Sequence, residues 1–292
     1  MKKVLFPVTI ILIIVSLSIT SSASQFIDIK EEDWYHTSIA SLYNDGIVSG
    51  YPDGSFRPDN QVTVGEFLAM VYSSLGEKET PSTGNQEQHW AYDIIKKAID
   101  DNILDFVAYL RDDCIVSENA STDDIIAAID LDKVLSRNDA VKILAYTIRE
   151  KDKIYFDFEK NEVLYMPDIV EIINITIDAN SGLADFEKDE LKKKVTSSLS
   201  EQISLMKSKM PSIKEQIIGE FRDISSEETE VIFLYFLEVA SGYSDGTFKG
   251  SKPVSRAEAC TLILNYIKVR ENIIMAKEEI LQNFKMILSN FS

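Results

Sequence analysis

Apolar residues recur every three or four positions in several segments of the chain, and this spacing predicts amphipathic helices. Three such segments follow a Ser or Thr, and their apolar faces are Phe67, Met70, Val71 and Leu75; Ala140, Ile143, Leu144 and Ile148; and Ala259, Leu262, Ile263 and Ile267. A fourth has Leu191, Val195, Leu199, Ile203, Met206 and Met210 on one face. Pro211 is expected to break or kink that helix. The pattern predicts a mainly α protein.

Two of these helices belong to copies of one unit. The sequence GYPDGSF begins at Gly50 and GYSDGTF begins at Gly242, and seventeen positions from each glycine align without a gap. The Asp-Gly pair favours a tight turn in which glycine adopts a positive φ angle. Thr63-Val-Gly-Glu66 and Ser255-Arg-Ala-Glu258 then have the form of a capping box. Each unit is therefore predicted to be a helix, a turn-rich loop and a capped helix.

A third copy lies between these two and departs further from the pattern. Ser136-Arg-Asn-Asp139 supplies its cap, and Trp90 stands where the first copy has Trp34. The glycine-tyrosine loop is absent from this copy, and a longer stretch, 106–136, replaces it. The chain therefore contains three predicted units, of which the middle one is degenerate.

The residues that the copies share resemble the S-layer homology (SLH) motif. The first copy has Phe26-x-Asp28, the loop 50–56 and Thr63-x-x-Glu66, and the last copy has Phe221-x-Asp223, the loop 242–248 and 255–258. The resemblance implies a mainly α fold in which three SLH helix-loop-helix repeats form one pseudo-threefold, three-pronged domain, with a helical insertion before the third repeat. The expected segments are a signal peptide at 1–23, repeats at 26–76, 86–150 and 221–268, the insertion at 151–220 and a helical tail at 269–292.

The resemblance also implies a site. In SLH domains the arginine of the capping motif lines a groove between successive repeats, and the groove binds secondary cell-wall polymer, often through a ketal-linked pyruvate carboxylate. A helix start with free N–H groups and an arginine is suited to an anion. The candidate ligand-binding residues are Arg137, Arg256, Trp34, Trp90, Gly50 and Gly242. Because the first copy has Val64 at the arginine position, the third has no matching Trp and the second has no loop, one or two competent grooves are expected.

Several of these residues have a structural alternative that the sequence leaves open. Each arginine is equally compatible with a surface salt bridge, and each Trp with an anchor in the core. Asp53, Asp59 and Asp245 are read as turn residues, because they lack the dense acids of an EF-hand calcium loop. Cys114 and Cys260 are compatible with a disulfide or with two free thiols.

Charge and composition reduce the number of functions that the sequence is compatible with. Of 292 residues, 45% are hydrophobic, and the net charge is −18, which argues against nucleic acid as a partner. Lys2 and Lys3, an apolar run and Ser21-Ser22-Ala23 have the order of a secretory signal peptide, with a membrane anchor as the alternative. With two His residues and no nucleophile, P-loop or metalloprotease motif, no catalytic residue, cofactor or metal is predicted.

The sequence thus predicts a secreted protein of the cell wall and cell surface that binds a cell-wall glycan and has no enzymatic activity. One alternative is an envelope structural protein whose repeats have lost glycan binding and whose insertion at 151–220 recruits another envelope protein. A further alternative is an enzyme of cell-wall metabolism housed in that insertion.

Overall fold

The computed structural model describes residues 26–77, 89–111, 114–117, 119–157, 162–165 and 167–289. Within these residues the fold is mainly α, which confirms the predicted class, and its helices are α1 His36–Asn44, α2 Val64–Ser74, α3 Tyr92–Asp100, a 3-10 helix Phe106–Tyr109, α4 Thr122–Ala128, α5 Arg137–Lys151, α6 Pro167–Asp178, α7 Asp185–Glu220, α8 Thr229–Phe236 and α9 Arg256–Ser289. Two short strands, β1 Tyr155–Asp157 and β2 Glu162–Tyr165, form an antiparallel hairpin. The predicted signal peptide lies outside the described residues.

The second helix of each copy begins at the predicted cap. Thr63 accepts a hydrogen bond from the Glu66 N–H at the start of α2, and the Glu66 carboxylate accepts one from the Thr63 N–H. The same reciprocal pair closes the start of α9 at 255–258. At α5, Ser136 accepts from the Asp139 N–H, but its hydroxyl donates to the Asp139 carboxylate. The middle cap therefore retains only half of the box.

The three caps are joined by a closed ring of backbone hydrogen bonds. The Val62 N–H donates to the Val254 carbonyl at 3.0 Å, the Val254 N–H to the Leu135 carbonyl at 2.9 Å, and the Leu135 N–H to the Val62 carbonyl at 2.9 Å. All three side chains are buried. Each of these residues immediately precedes a cap, so the ring places three helix starts beside one another. The pseudo-threefold arrangement of whole repeats stays a prediction.

The helices of different copies also pack on one another. The first helix of the first copy, α1, packs on α9; α3 of the middle copy packs on α2; and α8 of the last copy packs on α5. One continuous apolar core results, to which every copy contributes, including Phe56, Leu68, Ile95, Leu144, Leu234 and Ile263. Each copy is therefore packed against its neighbours as well as on its own residues.

Beyond the repeats, the helices are longer than the sequence pattern predicts. Pro211 does not end α7, which continues to Glu220 and packs on α6, β2 and α8. The tail expected at 269–292 continues α9 without interruption. Its distal part contributes Phe284 to a small second apolar cluster with Ile173, Ile177 and Leu183. These contacts with other elements favour helix where local pattern alone indicates an end.

Candidate functional site

The two glycine-tyrosine loops have the same backbone structure. In the first, the Tyr51 N–H donates to the Ser55 carbonyl at 2.8 Å, and Gly54 adopts a φ of 81°. In the third copy the Tyr243 N–H donates to the Thr247 carbonyl at 2.8 Å, and Gly246 has a φ of 74°. The glycine of the Asp-Gly pair thus has the positive φ expected for it.

A carboxylate near the start of the first copy, and another near the start of the third, fixes the loop of that copy. Asp28 accepts hydrogen bonds from the N–H groups of Phe56 and Arg57, at 2.8 and 2.7 Å. Asp223 holds the equivalent pair in the third copy, at 2.7 and 2.8 Å. Arg57 has a φ of 59°, which is unusual for a residue with a side chain. The recurrence of Asp28 and Asp223 in the motif signalled a shared role, but only the structure shows that they bind the loop backbone.

The loop aspartates take part in the turns themselves. Asp53 accepts from the Ser55 N–H at 3.0 Å and pairs with Arg57 at 2.8 Å. Hydrogen bonds from the Ser55 hydroxyl and from Arg57 lower the pKa of Asp53. In the third copy, hydrogen bonds from Lys249 and Thr247 lower the pKa of Asp245 to about 2. These contacts account for both carboxylates as turn residues.

Gly50 and Gly242 are required by close packing. A Cβ atom on Gly50 would lie 2.3 Å from Cε1 of Phe26, and one on Gly242 would lie 2.4 Å from Cε1 of Phe221. Both phenylalanines are buried. The two glycines therefore let an aromatic ring of their own copy pack directly against the loop backbone.

We expect Gly50→Ala to lower the free energy of unfolding by about 1–3 kcal/mol, because the Phe26 ring must shift within a packed core. Urea unfolding of the purified chain measures this change. Gly219→Ala is the control, since nothing lies within 4 Å of the added Cβ on α7 and alanine favours helix by roughly 0.5–1 kcal/mol. Equal midpoints for Gly50→Ala and the parent chain would contradict the close packing.

Arg256, the first residue of α9, reaches across to the loop of the first copy. Its Nε donates to the Phe56 carbonyl at 3.1 Å, and a terminal nitrogen donates to the Ser49 carbonyl at 3.0 Å. Its guanidinium carbon lies 4.5 Å from the centre of the Phe56 ring and 5.3 Å from that of Tyr51. We call this contact junction A, formed by Arg256, Ser49, Tyr51 and Phe56. The site residues of two copies distant in sequence meet here.

Arg137, the first residue of α5, makes the equivalent contact with the loop of the third copy. It donates to the Ser241 carbonyl, and its guanidinium carbon lies 4.7 Å from the centre of the Phe248 ring and 5.0 Å from that of Tyr243. We call this contact junction B, formed by Arg137, Ser241, Tyr243 and Phe248. Arg137 is only 6% exposed, and its Nε has no hydrogen-bond partner among the described residues. Arg256, by contrast, is half-buried.

The third helix start has no arginine, and the copy that it faces has no loop. Val64, the first residue of α2, is buried, and its N–H donates to the Lys133 carbonyl of the middle copy at 3.1 Å. Trp90 lies against this helix start, 3.3 Å from the position of a Cβ on Gly65. We call this contact junction C, formed by Val64, Gly65, Trp90 and Lys133. The missing arginine and the missing loop therefore belong to one junction.

A buried carboxylate distinguishes junction B from junction A. Glu258, which is 8% exposed, accepts hydrogen bonds from the Tyr243 hydroxyl, from Lys252 at 3.0 Å and from the Ser255 N–H at 3.0 Å. Burial alone would raise the pKa of Glu258, but these hydrogen bonds outweigh it and lower the pKa. The carboxylate is therefore ionised at neutral pH. In the first copy Glu66 caps α2, and Asn60 stands at the position of Lys252.

Both tryptophans are exposed, so they are not anchors in the core. Trp34 is 64% exposed and Trp90 is 50% exposed. Trp34 stands just before α1, which packs along α9, the helix that Arg256 begins. Trp90 contacts the first turn of α2 in junction C. Neither Arg137 nor Arg256 has a carboxylate partner among the described residues, so neither forms the surface salt bridge that the sequence left possible.

Other predicted chemistry is limited within the described part of the chain. No cluster of His, Cys, Asp and Glu there is arranged to hold a metal ion. Cys114 and Cys260 are not joined in a disulfide, and burial raises the pKa of Cys260 to about 12. None of the helices described is both long and apolar enough to cross a bilayer.

Comparison with known proteins identifies the repeated unit. The S-layer homology domain matches the chain at residues 25–68 and again at 220–260, which are the first and third copies. The middle copy remains an interpretation of the sequence. The two matched segments supply both loops and the arginine of junction A, whereas Arg137 lies between them.

Three curated relatives are similar to part of this chain. The middle cell wall protein of Brevibacillus brevis is 35% identical over 81 residues, which are 28% of this chain and 7% of that protein. The surface layer protein of Brevibacillus choshinensis is 37% identical over 51 residues, 18% of this chain and 5% of the relative. The cellulosome-anchoring protein of Acetivibrio thermocellus is 29% identical over 87 residues, 27% of this chain and 20% of the relative. This chain thus spans a fifth or less of these relatives, and it carries S-layer homology domains.

Proposed function

We propose that the protein anchors non-covalently to the bacterial cell wall by binding an acidic, pyruvylated cell-wall polymer at junction A, without chemical turnover. The observation that carries the proposal is the Arg256 guanidinium, which contacts two backbone carbonyls and two aromatic rings and has no carboxylate partner among the described residues. The S-layer homology domains and the names of the relatives support a cell-surface location associated with the wall.

The chemistry of junction A suits a single carboxylate. A guanidinium has five N–H donors, and Arg256 uses two of them on Phe56 and Ser49. The remaining donors are available for a bidentate contact with a carboxylate. Because the whole chain carries a charge of −18, an anion must be held by such local groups against the overall field.

Neighbouring residues supply a surface for the sugar. Tyr51 roofs the loop, with the Arg57 guanidinium carbon 3.9 Å from its ring centre on the same loop. We assign Trp34 to the groove wall, since Trp90 at the equivalent position contacts a helix start. Gly50 belongs to the site through the loop backbone. Arg137, Gly242 and Trp90 are the corresponding candidates at junctions B and C.

The test compares Arg256 with Arg57, a second arginine that lies over the same Tyr51 ring. Arg256→Gln is expected to weaken binding to purified cell-wall sacculi by about tenfold or more, since a hydrogen bond to a charged group contributes roughly 1.5–3 kcal/mol. Arg57→Gln is the matched control, because Arg57 lies over the same Tyr51 ring but is paired with Asp53. Its binding is expected to remain within about threefold of the parent chain, as exposed ion pairs contribute little.

Sacculi stripped of the secondary polymer form the second arm of this experiment. The parent chain should bind intact sacculi and should be lost from the stripped ones. Equal binding to both, or to neither, would overturn the proposal, as would equal retention of Arg256→Gln and Arg57→Gln. Circular dichroism of both variants separates loss of binding from loss of fold.

The second candidate function is recruitment of an envelope protein through the 151–220 insertion and the helices beside it. It is favoured by large apolar side chains that these helices expose, with Phe186 71%, Ile175 60% and Met286 62% exposed. Alanine at both Arg137 and Arg256 discriminates between the functions. Unchanged retention on intact cell walls would favour recruitment over glycan binding.

A further inference from the structure

Junctions A and B have the same arrangement of an arginine and a loop, yet their side chains differ in how many hydrogen-bond donors they leave for a ligand. Arg256 is half-buried and has free donors, whereas Arg137 is 6% exposed between two rings. Junction A contains Tyr51. The first copy, to which Tyr51 belongs, has Asn60 at the position that Lys252 occupies in the third copy. In junction B, the Tyr243 hydroxyl and the Lys252 ammonium both contact the Glu258 carboxylate.

We propose that Glu258 acts as an internal anion that closes junction B, so that the chain binds one acidic glycan group rather than two. The inference rests on the proposed function of junction A and concerns the specificity of its counterpart. A ligand carboxylate at junction B has to compete with Glu258 for Lys252 and for the Tyr243 hydroxyl. Two carboxylates within one small site repel each other. In the first copy the equivalent glutamate, Glu66, caps α2 and makes no hydrogen bond to Tyr51 among the described residues.

The charges around junction B support this assignment. Lys249 pairs with Asp245 at 2.8 Å, and Lys252 pairs with Glu258 at 3.0 Å, so each lysine is neutralised within the loop region. A further carboxylate, Glu228, accepts from Asn138 next to Arg137 at 3.4 Å. Arg137 therefore supplies the one cation of junction B without an acidic partner among the described residues.

Junction B nevertheless retains a donor that a ligand could use. The Nε of Arg137 is buried and has no hydrogen-bond partner among the described residues. In junction A the equivalent Nε donates to the Phe56 carbonyl. An unsatisfied buried donor is unfavourable, so removal of the competing anion should allow a carboxylate to approach it.

The experiment removes the charge of Glu258 and keeps the size of the side chain. Glu258→Gln leaves an amide oxygen that can still accept from the Ser255 N–H, which preserves the cap of α9. Glu66→Gln is the matched control, since Glu66 caps α2 in the same way within the first copy. The probe is a methyl glucoside that carries a ketal-linked pyruvate, titrated into the full chain labelled with nitrogen-15.

The Nε–H resonances of Arg256 and Arg137 report the two junctions separately. In the parent chain and in Glu66→Gln, we expect the probe to shift the Arg256 resonance. Its affinity for junction B, read from the Arg137 resonance, should be at least about tenfold weaker than its affinity for junction A. In Glu258→Gln both resonances should titrate with similar affinities. Similar titration of both arginines in the parent chain, or no response of Arg137 in a folded Glu258→Gln variant, would overturn the inference.

Lys252→Asn keeps the inference testable if Glu258→Gln fails to fold. This variant copies Asn60 of the first copy and leaves Glu258 as an anion, so Arg137 should stay unresponsive. A shift of Arg137 in Lys252→Asn would show that the lysine, and not the carboxylate, closes the junction. If Arg256 shifts in none of the proteins, the proposed function fails, and the inference is decided by the response of Arg137 to Glu258→Gln alone.

Discussion

Replacing Arg270 by alanine is expected to lower the free energy of unfolding at pH 7 by about 3 kcal/mol, because it removes the partner of a buried charge. Arg270 on α9 donates from Nε to the Asp152 carboxylate at 2.9 Å, and the Tyr266 hydroxyl donates to the other oxygen at 3.1 Å. The Asp152 side chain is 5% exposed, whereas that of Arg270 is 31% exposed. The cost therefore falls on the carboxylate, which cannot reach water when its partner is lost.

The pKa of Asp152 determines how the stability deficit of Arg270→Ala changes with pH. Burial raises the pKa of Asp152, and this effect outweighs the opposing influence of Arg270 and Tyr266. A carboxyl whose folded pKa is raised favours the folded state below its unfolded pKa, near 4, and this contribution is lost as the pH rises through the folded value. Loss of Arg270 should raise the folded pKa further. The deficit of Arg270→Ala relative to the parent chain should therefore be largest at pH 7 and should shrink towards pH 4.

Urea unfolding of both chains at several pH values measures this difference, and Asp152→Asn is the control. The asparagine variant removes the charge, keeps the size and can still accept from the Tyr266 hydroxyl. It should lose less stability than Arg270→Ala at pH 7, since an apolar or neutral replacement of a buried ion pair is often well tolerated. A deficit of Arg270→Ala that is the same at pH 7 and pH 4 would show that Asp152 is not the group responsible.

This ion pair and the candidate site lie on the same helix, α9. Arg256 begins α9 at junction A, and Arg270 and Lys277 on the same helix bind Asp152 at the end of α5. Beyond them α9 contributes Phe284 to the second apolar cluster. One continuous helix therefore connects the second apolar cluster and the Asp152 ion pair with the first residue of the candidate site.

The features that the sequence predicts correctly are those that local chemistry determines. The capping residues Thr63 and Ser255 begin helices because their side chains satisfy the first-turn N–H groups of the same helix. Gly54 and Gly246 occupy their turns because of their own backbone freedom. The repeat then extends each interpretation from one copy to the next, which is why the mainly α class could be predicted.

Features that depend on contacts between copies could not be predicted from one sequence. The burial of Arg137 between Phe248 and Tyr243 results from the ring that joins three helix starts, and nothing in its own neighbourhood indicates it. The same holds for Glu258, which has the sequence signature of a simple cap. The hairpin of β1 and β2 lacks a tight-turn signal between its strands and was not predicted.

The ring of backbone hydrogen bonds also explains why the arginine missing from the first copy and the loop missing from the middle copy belong together. Two of the helix starts face the loop of another copy. Arg256 contacts the loop of the first copy, and Arg137 contacts the loop of the third. The remaining helix start faces the middle copy, where a longer segment replaces the loop, and it begins with Val64. An arginine there would lack the loop carbonyls and the tyrosine and phenylalanine rings that contact Arg256 and Arg137. Its absence is therefore consistent with the geometry of junction C.

Replacing Phe56 by alanine is expected to cost about 3–5 kcal/mol of stability, because its ring is completely buried and its loss leaves a cavity. The ring packs 5.2 Å from that of Phe26 and lies beneath the Arg256 guanidinium at 4.5 Å. Chemical unfolding measures the loss. Ile27→Ala is the control for apolar truncation in the same copy, and since Ile27 is 81% exposed it should change stability by less than about 0.5 kcal/mol.

A second replacement separates the two roles of Phe56. Phe56→Leu fills most of the volume, so its stability loss should stay below about 1.5 kcal/mol, but it removes the aromatic face beneath Arg256. Since a cation–π contact contributes roughly 0.5–2 kcal/mol, binding to intact sacculi should weaken by about threefold or more while the fold is retained. Unchanged binding by a folded Phe56→Leu variant would show that the ring supports the core alone. A stability loss below about 1 kcal/mol for Phe56→Ala would instead contradict the packing of the loop against the core.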